Sequence, residues 1–206
     1  MIIAIDGPAA AGKGTLARRI AAALGLPYLD TGLLYRAVGR LVLDQGADPA
    51  DPVAAVAAAH RLRREDLART DLRGGPADKA ASTVASIPGV RIALLDVQRR
   101  FADEHGAVLD GRDIGTIIFP QADVKLFVTA SLAARAQRRH AELRAKGETI
   151  SLAAVEADLA ARDEADANRK AAPLVPAADA VLFDTTELDA DAAFTQSLAL
   201  IRQRTG

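Results

Sequence analysis

The segment Gly7-Pro8-Ala9-Ala10-Ala11-Gly12-Lys13-Gly14-Thr15 constrains this chain more than any other. It follows a short apolar run, Ile2-Ile3-Ala4-Ile5, closed by Asp6, and it precedes a helical repeat that carries Leu16, Ile20, Ala23 and Leu24 and stops at Gly25. A buried strand, a glycine-bearing loop and a helix in that order form a phosphate-binding loop. Glycine lets successive backbone amides turn inward around phosphate oxygens, and the helix N-terminus adds positive potential. Lys13 is placed to reach the β and γ phosphates, and the Thr15 hydroxyl to ligate Mg²⁺. The hydroxyl stands one position later than in the commonest form of this loop because Gly14 intervenes.

Downstream segments supply partners for such a loop. Asp30-Thr31-Gly32-Leu33-Leu34-Tyr35-Arg36 follows a short strand at 27–30 and opens a helix, so Asp30 reads as a helix cap or as a cleft residue. Ala107-Val108-Leu109-Asp110 is a buried strand ending on a carboxylate placed to hold the water shell of Mg²⁺, with Gly111, Arg112 and Asp113 at the cleft edge. Ser131 caps a helix over 132–144 that bears Arg135, Arg138 and Arg139, either a solvated face or a set of donor-side cations. Arg162, Asp166 and Arg169 are spaced four and then three, so they share one helical face. They form a salt-bridge ladder or a ligand grip. Further strands are expected at 124–129 and 180–183, and helices at 53–62, 90–101, 151–167 and 191–204. The stretch 63–79, dense in charge and containing Gly74-Gly75-Pro76, reads as a surface excursion. Strands alternating with helices imply a parallel sheet with right-handed crossovers.

Composition narrows the classes. The chain has 206 residues, half of them hydrophobic, enough for a substantial core without staples. It has no cysteine, which excludes disulfides and thiolate chemistry, and its three histidines are scattered. The formal net charge is -1, so no global field draws it to nucleic acid or to an anionic membrane. Only five of the 26 basic residues are lysine, a bias that suits bidentate grips on phosphate and carboxylate. No apolar stretch approaches the roughly 20 residues of a membrane span. The first residues carry no basic segment and do not read as a secretion signal. A cytoplasmic location is expected.

The segments IDGPAAAGKGT at 5–15, DTGLLYR at 30–36, AASTVASIPGVR at 80–91, DGRDIGT at 110–116 and RDEADANRKAAPLVPAADA at 162–180 together resemble the bacterial cytidylate kinase family over nearly the whole chain. The loop alone names only a superfamily; the DGRD segment and the arginine–aspartate run are far more specific. The resemblance implies a three-layer α/β P-loop fold with a five-stranded parallel core sheet flanked by helices. It implies a single kinase domain over 1–206 with a nucleoside monophosphate-binding insertion at about 36–100 and a lid at about 145–168. Mg²⁺ is the implied cofactor, with ATP as co-substrate and CMP or dCMP as acceptor, in a monomer with no membrane or nucleic-acid polymer as partner.

Carried over residue by residue, Lys13, Arg112 and Arg169 are the catalytic groups. Gly7 through Thr15 with Arg135, Arg138 and Arg139 serve ATP. Arg36, Arg112 and Arg169 handle the acceptor phosphate; Ser82, Arg91 and Asp113, with Thr31 nearby, read cytosine; Arg162 and Asp166 hold the sugar. Thr15, and Asp110 through water, serve the metal. The family's insertion usually includes a small antiparallel sheet before the helix bearing Ser82. Here that stretch is short, and the full sheet is not expected. Two rivals remain at this level: another small phosphate-loop kinase acting on AMP or shikimate, and a nucleotide switch of the GTPase kind. The second requires an Asn-Lys-x-Asp segment that the sequence lacks.

Overall fold

The computed structural model of the chain describes residues 1–72, 74–103 and 105–206. They fall into two compact units, Met1–Tyr28 with His105–Gly206, and Leu29–Glu104.

The first unit is organised by β1 (Ile2–Asp6), an apolar run that is almost wholly buried, as a central parallel strand must be. It is followed by α1 (Lys13–Leu24) and leads to β2 (Tyr28–Asp30), where the chain passes into the second unit. After its return come β3 (Ala107–Gly111) and β4 (Val124–Thr129), and, further on, β5 (Val181–Asp184). The sheet order is β2-β3-β1-β4-β5. β1 pairs in parallel with β3 and β4, so Asp6 lies opposite both Gly111 and Phe127. The chain leaves β1 between two neighbours reached by opposite crossovers, the place where open α/β sheets hold ligands. Helix α1 packs Leu16, Ala17 and Ile20 on Ile3, Ile5, Val108, Leu126 and Val128, together with Ile201.

The second unit is helical: α2 (Thr31–Asp44), α3 (Pro52–Arg61), α4 (Gly75–Ala85) and α5 (Pro88–Asp103). Helices α6 (Leu132–Ala145), α7 (Leu152–Ala167) and α8 (Ala190–Thr205) complete the first unit. Element boundaries read from sequence agree to within one or two residues, with two corrections. The stretch 63–79 is not merely an excursion. It contains a tight turn at Arg64–Ala68 and the start of α4, whose first turn holds Pro76. Proline suits that position because its missing amide would have no helical partner. Position 73 of this stretch lies outside the described residues. The second correction is a wide helical turn at Ile114–Ile118 after β3. Among the described residues of the second unit beyond Asp30 there is no strand.

A ring of partly exposed charges holds the 63–72 segment instead. Arg69 pairs with Asp44 at 2.6 Å and Asp71 at 2.7 Å, and Arg40 pairs with the same two carboxylates at 2.6 and 3.1 Å. Among the described residues no single helix is long and apolar enough to cross a membrane.

Helices α2 and α4 approach at Gly39, where a Cβ would lie 2.8 Å from the Ala80 Cβ and 3.0 Å from its carbonyl carbon. Gly39→Ala therefore destabilises the chain even though alanine gains roughly 1 kcal/mol of helix propensity. Gly39→Val is expected to cost about 1–3 kcal/mol by overpacking. A lower urea midpoint at unchanged slope is the measurement that checks it.

Candidate active site

The loop between β1 and α1 is built from backbone of unusual hand. Gly7 sits at φ 145°, and a Cβ there would come within 1.9 Å of the Val128 carbonyl oxygen. Ala10, at φ 59°, and Gly12, at φ 86°, take the left-handed region. A left-handed alanine costs on the order of 1 kcal/mol and is tolerated where the surroundings dictate it. The result is a concave row of amides ahead of a helix N-terminus.

Lys13, the first residue of α1, is buried, and its Nζ donates to the Pro8 carbonyl at 2.8 Å. Burial pushes its pKa down to about 7, and the nearby Arg112 guanidinium pushes the same way, while Asp110 and Asp6 oppose the shift.

Asp110 ends β3's apolar run, is buried, and accepts a hydrogen bond from the Tyr28 hydroxyl at 2.9 Å. Gly14 faces this carboxylate: a Cβ at position 14 would be 3.5 Å from Asp110 Oδ2 and from the Tyr28 oxygen. Thr15 follows Gly14 in the first turn of α1 and lines a cavity described below. Among the described residues no cluster of three or more metal-ligating side chains exists. This donor set fits Mg²⁺ that arrives with a nucleotide, since that ion keeps phosphate oxygens and waters and needs only one or two protein groups.

Beside the loop, the arginine–aspartate run forms a compact charge cluster. Asp166, fully buried near the end of α7, accepts from Arg112 Nε at 2.7 Å and from Arg169. Burial alone would raise its carboxyl pKa, but Arg112, Arg169 and Arg162 together hold it below the usual value. Asp166 and Arg169 do pair, but α7 ends at Ala167, so Arg169 lies beyond it and the three residues do not share one helical face; the Arg112 bond comes from across the fold. Asp113 is buried just before the 114–118 turn.

The three arginines of α6 separate in role. Arg135 is buried and donates to the carbonyls of Ala130 and Ala9, at 3.0 and 3.2 Å, and to both oxygens of Asp163 at 3.1 and 2.6 Å. It therefore ties the phosphate loop to α7. Arg138 donates to the carbonyls of Thr185 and Leu188 and so holds the segment after β5. Arg139 pairs with Glu142 at 3.0 Å. Arg138 and Arg139 line a cavity of about 420 Å³ together with Gly12, Thr15, Thr185 and Leu188.

The second unit carries the other expected residues. Asp30 caps α2 by accepting from the Leu33 amide at 3.1 Å, and it also lies 3.8 Å from Arg36. Arg36 donates to Asp78 of α4 at 2.9 Å. Thr31 is buried in the first turn of α2. Ser82 is half-buried on α4, and Arg91 of α5 stands over the Tyr35 ring at 5.5 Å while donating to the Ala85 carbonyl. Asp6, Tyr28, Asp78 and Asp163 were not singled out as site residues from sequence.

Comparison with known proteins decides the family. A family model described as cytidylate kinase matches residues 3–203. The chain belongs to the cytidylate kinase family. A relative named cytidylate kinase from Acidiphilium cryptum is 66% identical over 98% of this chain and 96% of its own. One from Granulibacter bethesdensis is 60% identical over 99% and 98%. Among solved structures, a Thermus thermophilus protein superposes with a TM-score of 0.52 at 21% identity, covering 100% of this chain and 98% of its own, which shows a shared fold. As a cytidylate kinase family member the chain is an ATP-dependent phosphotransferase.

Lys13 with a pKa near 7 has a consequence for nucleotide binding. At pH 8 much of the ligand-free enzyme holds this amine neutral, and a bound polyphosphate restores its charge. ATP binding at pH 8 is expected to take up a proton, approaching one per site, and Lys13→Met to abolish the uptake. Calorimetry in buffers of different ionisation enthalpy reads it directly.

Proposed function

We propose that the chain transfers the γ-phosphoryl group of ATP to CMP or dCMP, giving ADP with CDP or dCDP. Its family membership and full-length relatives make it a nucleoside monophosphate kinase acting on CMP. The observation that carries the reading is electrostatic: the buried Lys13 of the phosphate loop shares one charge set with buried Asp110 and half-buried Arg112 and Arg162, and Asp166 joins it through Arg112 and Arg169. Cations for a donor phosphate and for an acceptor phosphate thus belong to one cluster of the first unit.

The acceptor is a phosphate already ionised at neutral pH, so no protein base is required. Catalysis consists of positioning and charge neutralisation. The loop amides between Gly7 and Thr15, Pro8 having none to offer, cradle the donor phosphates, and Lys13 exchanges the Pro8 carbonyl for phosphate oxygen. Thr15, and Asp110 through water, would hold Mg²⁺, which would supply charge neutralisation on the donor phosphates. Asp166 holds Arg112 and Arg169 aligned before the acceptor phosphate arrives, and with Arg162 it serves the sugar. In the second unit Arg36 serves the acceptor phosphate, while Thr31, Ser82 and Arg91 serve the base together with Asp113 of the first. The cavity beside Arg138 and Arg139 takes the donor nucleoside. Helix α7 and the segment before it, 145–168, act as the lid. A monomeric, cytoplasmic enzyme is part of the same reading.

A coupled ADP-release assay across CMP, dCMP, UMP and AMP tests the assignment. CMP and dCMP are expected to be preferred, because uracil turns a carbonyl toward a carboxylate and an N–H toward a donor, and a closed site punishes such mismatches. Equal or better turnover of AMP would overturn it. Lys13→Ala is expected to lower kcat by about 10²–10³, the usual loss for one electrostatic stabiliser, with the circular dichroism spectrum retained.

A further inference from the structure

Thr185 is the first residue past β5, is buried, and lies outside the segments that carry the family resemblance. Its backbone is held on both sides. The Thr185 amide donates to the Thr129 carbonyl at 2.8 Å, just beyond the β4–β5 ladder, in which Thr129 stands opposite Asp184. Arg138 of α6 donates to the Thr185 carbonyl at 2.5 Å. The side chain is held as well. Its Oγ1 accepts from Arg138 Nη1 at 3.2 Å and donates to the Ala11 carbonyl at 3.3 Å and the Thr129 carbonyl at 3.1 Å. A hydroxyl has one proton, so the two carbonyls share it in a three-centre bond. Arg138 occupies a lone pair of the oxygen and leaves that proton facing the carbonyls.

The Ala11 carbonyl belongs to the phosphate loop, and its direction fixes that of an amide. A trans peptide is planar, so the Ala11 carbonyl and the Gly12 N–H point in opposite directions. Gly12 stands at φ 86°, just ahead of α1. Glycine accepts either sign of φ, so position 12 itself offers little resistance to a flip of this peptide. A contact from outside the loop that holds the carbonyl therefore sets where the amide points.

We infer that Thr185 is a positioning residue for the donor phosphates: its hydroxyl, oriented by Arg138, holds the Ala11 carbonyl and so keeps the Gly12 amide turned to the phosphates. The inference rests on the reading that this loop holds the phosphates of ATP. A second loop peptide is held in the same manner. Arg135 donates to the Ala9 carbonyl at 3.2 Å and so fixes the plane that carries the Ala10 N–H. Two side chains from outside the loop thus orient two of its amides.

The test uses the full chain. KM for ATP, KM for CMP and the inhibition constant of inorganic tripolyphosphate against ATP are measured in the parent, Thr185→Val, Thr185→Ala and Thr185→Ser. Valine keeps the branched shape and removes the hydroxyl; serine keeps the hydroxyl. Thr185→Val is expected to raise KM for ATP and the tripolyphosphate constant by the same factor, about fivefold, the loss of one hydrogen bond. KM for CMP is expected to stay within about twofold, and Thr185→Ser to stay within about twofold of the parent on all three constants. None of these constants depends on the active fraction, so partial misfolding leaves them readable. Thr185→Ala, smaller and likewise without a hydroxyl, gives a second reading in the same direction. If loss of the hydroxyl weakens ATP but leaves tripolyphosphate unchanged, Thr185 only shapes the nucleoside cavity that it lines, and the inference is overturned. Equal shifts for ATP and CMP, no shift at all, or a serine variant as impaired as valine overturn it as well. A parent in which tripolyphosphate does not compete with ATP removes the phosphate-loop reading itself, and the inference with it.

Discussion

A lysine sealed beneath its own loop is the constraint around which the first unit is organised. Lys13 is buried because the helix it opens must pack Leu16 and Ile20 against the sheet, which fixes the first turn of α1 over the strand ends. An ammonium in that position loses its water, and the fold answers with two carboxylates, Asp6 from β1 and Asp110 from β3, whose register sets them at the same end of the sheet. Those carboxylates are themselves buried, so each needs donors: Asp6 takes two amides and Asp110 takes the Tyr28 hydroxyl. A buried polar group left without a partner costs more than its bond returns, so one cation propagates a network of obligations through the fold.

The same logic orders the arginines. Arg112 and Arg169 meet on Asp166, a carboxylate that burial disfavours and three guanidinium groups keep ionised. Arg135 reaches the phosphate loop through the Ala9 carbonyl and is anchored by Asp163, so one side chain links α6, α7 and the loop in this arrangement. The arginines of α6 thus differ by what they hold: one holds backbone near the phosphates, one holds the chain after β5, and one faces the cavity.

Most of the fold was legible because its signals are local. The phosphate loop is nine consecutive residues, and Asp30 caps the helix it precedes. What escaped were groups whose partners are distant in the chain. Asp6 looks like the polar end of a strand until Ile114 and Gly115 are brought to it. Asp78 and Arg36 are 42 residues apart, and Asp163 and Arg135 are 28 apart. Nothing in single-sequence periodicity reports such pairs. Gly74-Gly75-Pro76 was ambiguous for another reason: a turn and a helix start use the same residues, and only Ala77, Ala80 and Ala81, buried against neighbours, decide between them. The residue-level assignments to nucleotide rest on matching motifs, and the geometry supplies what each side chain is attached to.

The ring of Arg40, Asp44, Arg69 and Asp71 has a consequence for how the second unit responds to its surroundings. These four groups lie at the surface, and mobile ions within about a Debye length, roughly 8–10 Å at physiological salt, weaken such pairs. A segment ordered by a sheet would be insensitive to that, since its hydrogen bonds are shielded within the backbone. Here the path from Leu62 to Leu72 is held by solvent-facing charge. Its stiffness becomes a property of the solution as much as of the chain: firm in dilute buffer, slackening as electrolyte rises, while the strands beneath Lys13 hold their register unchanged.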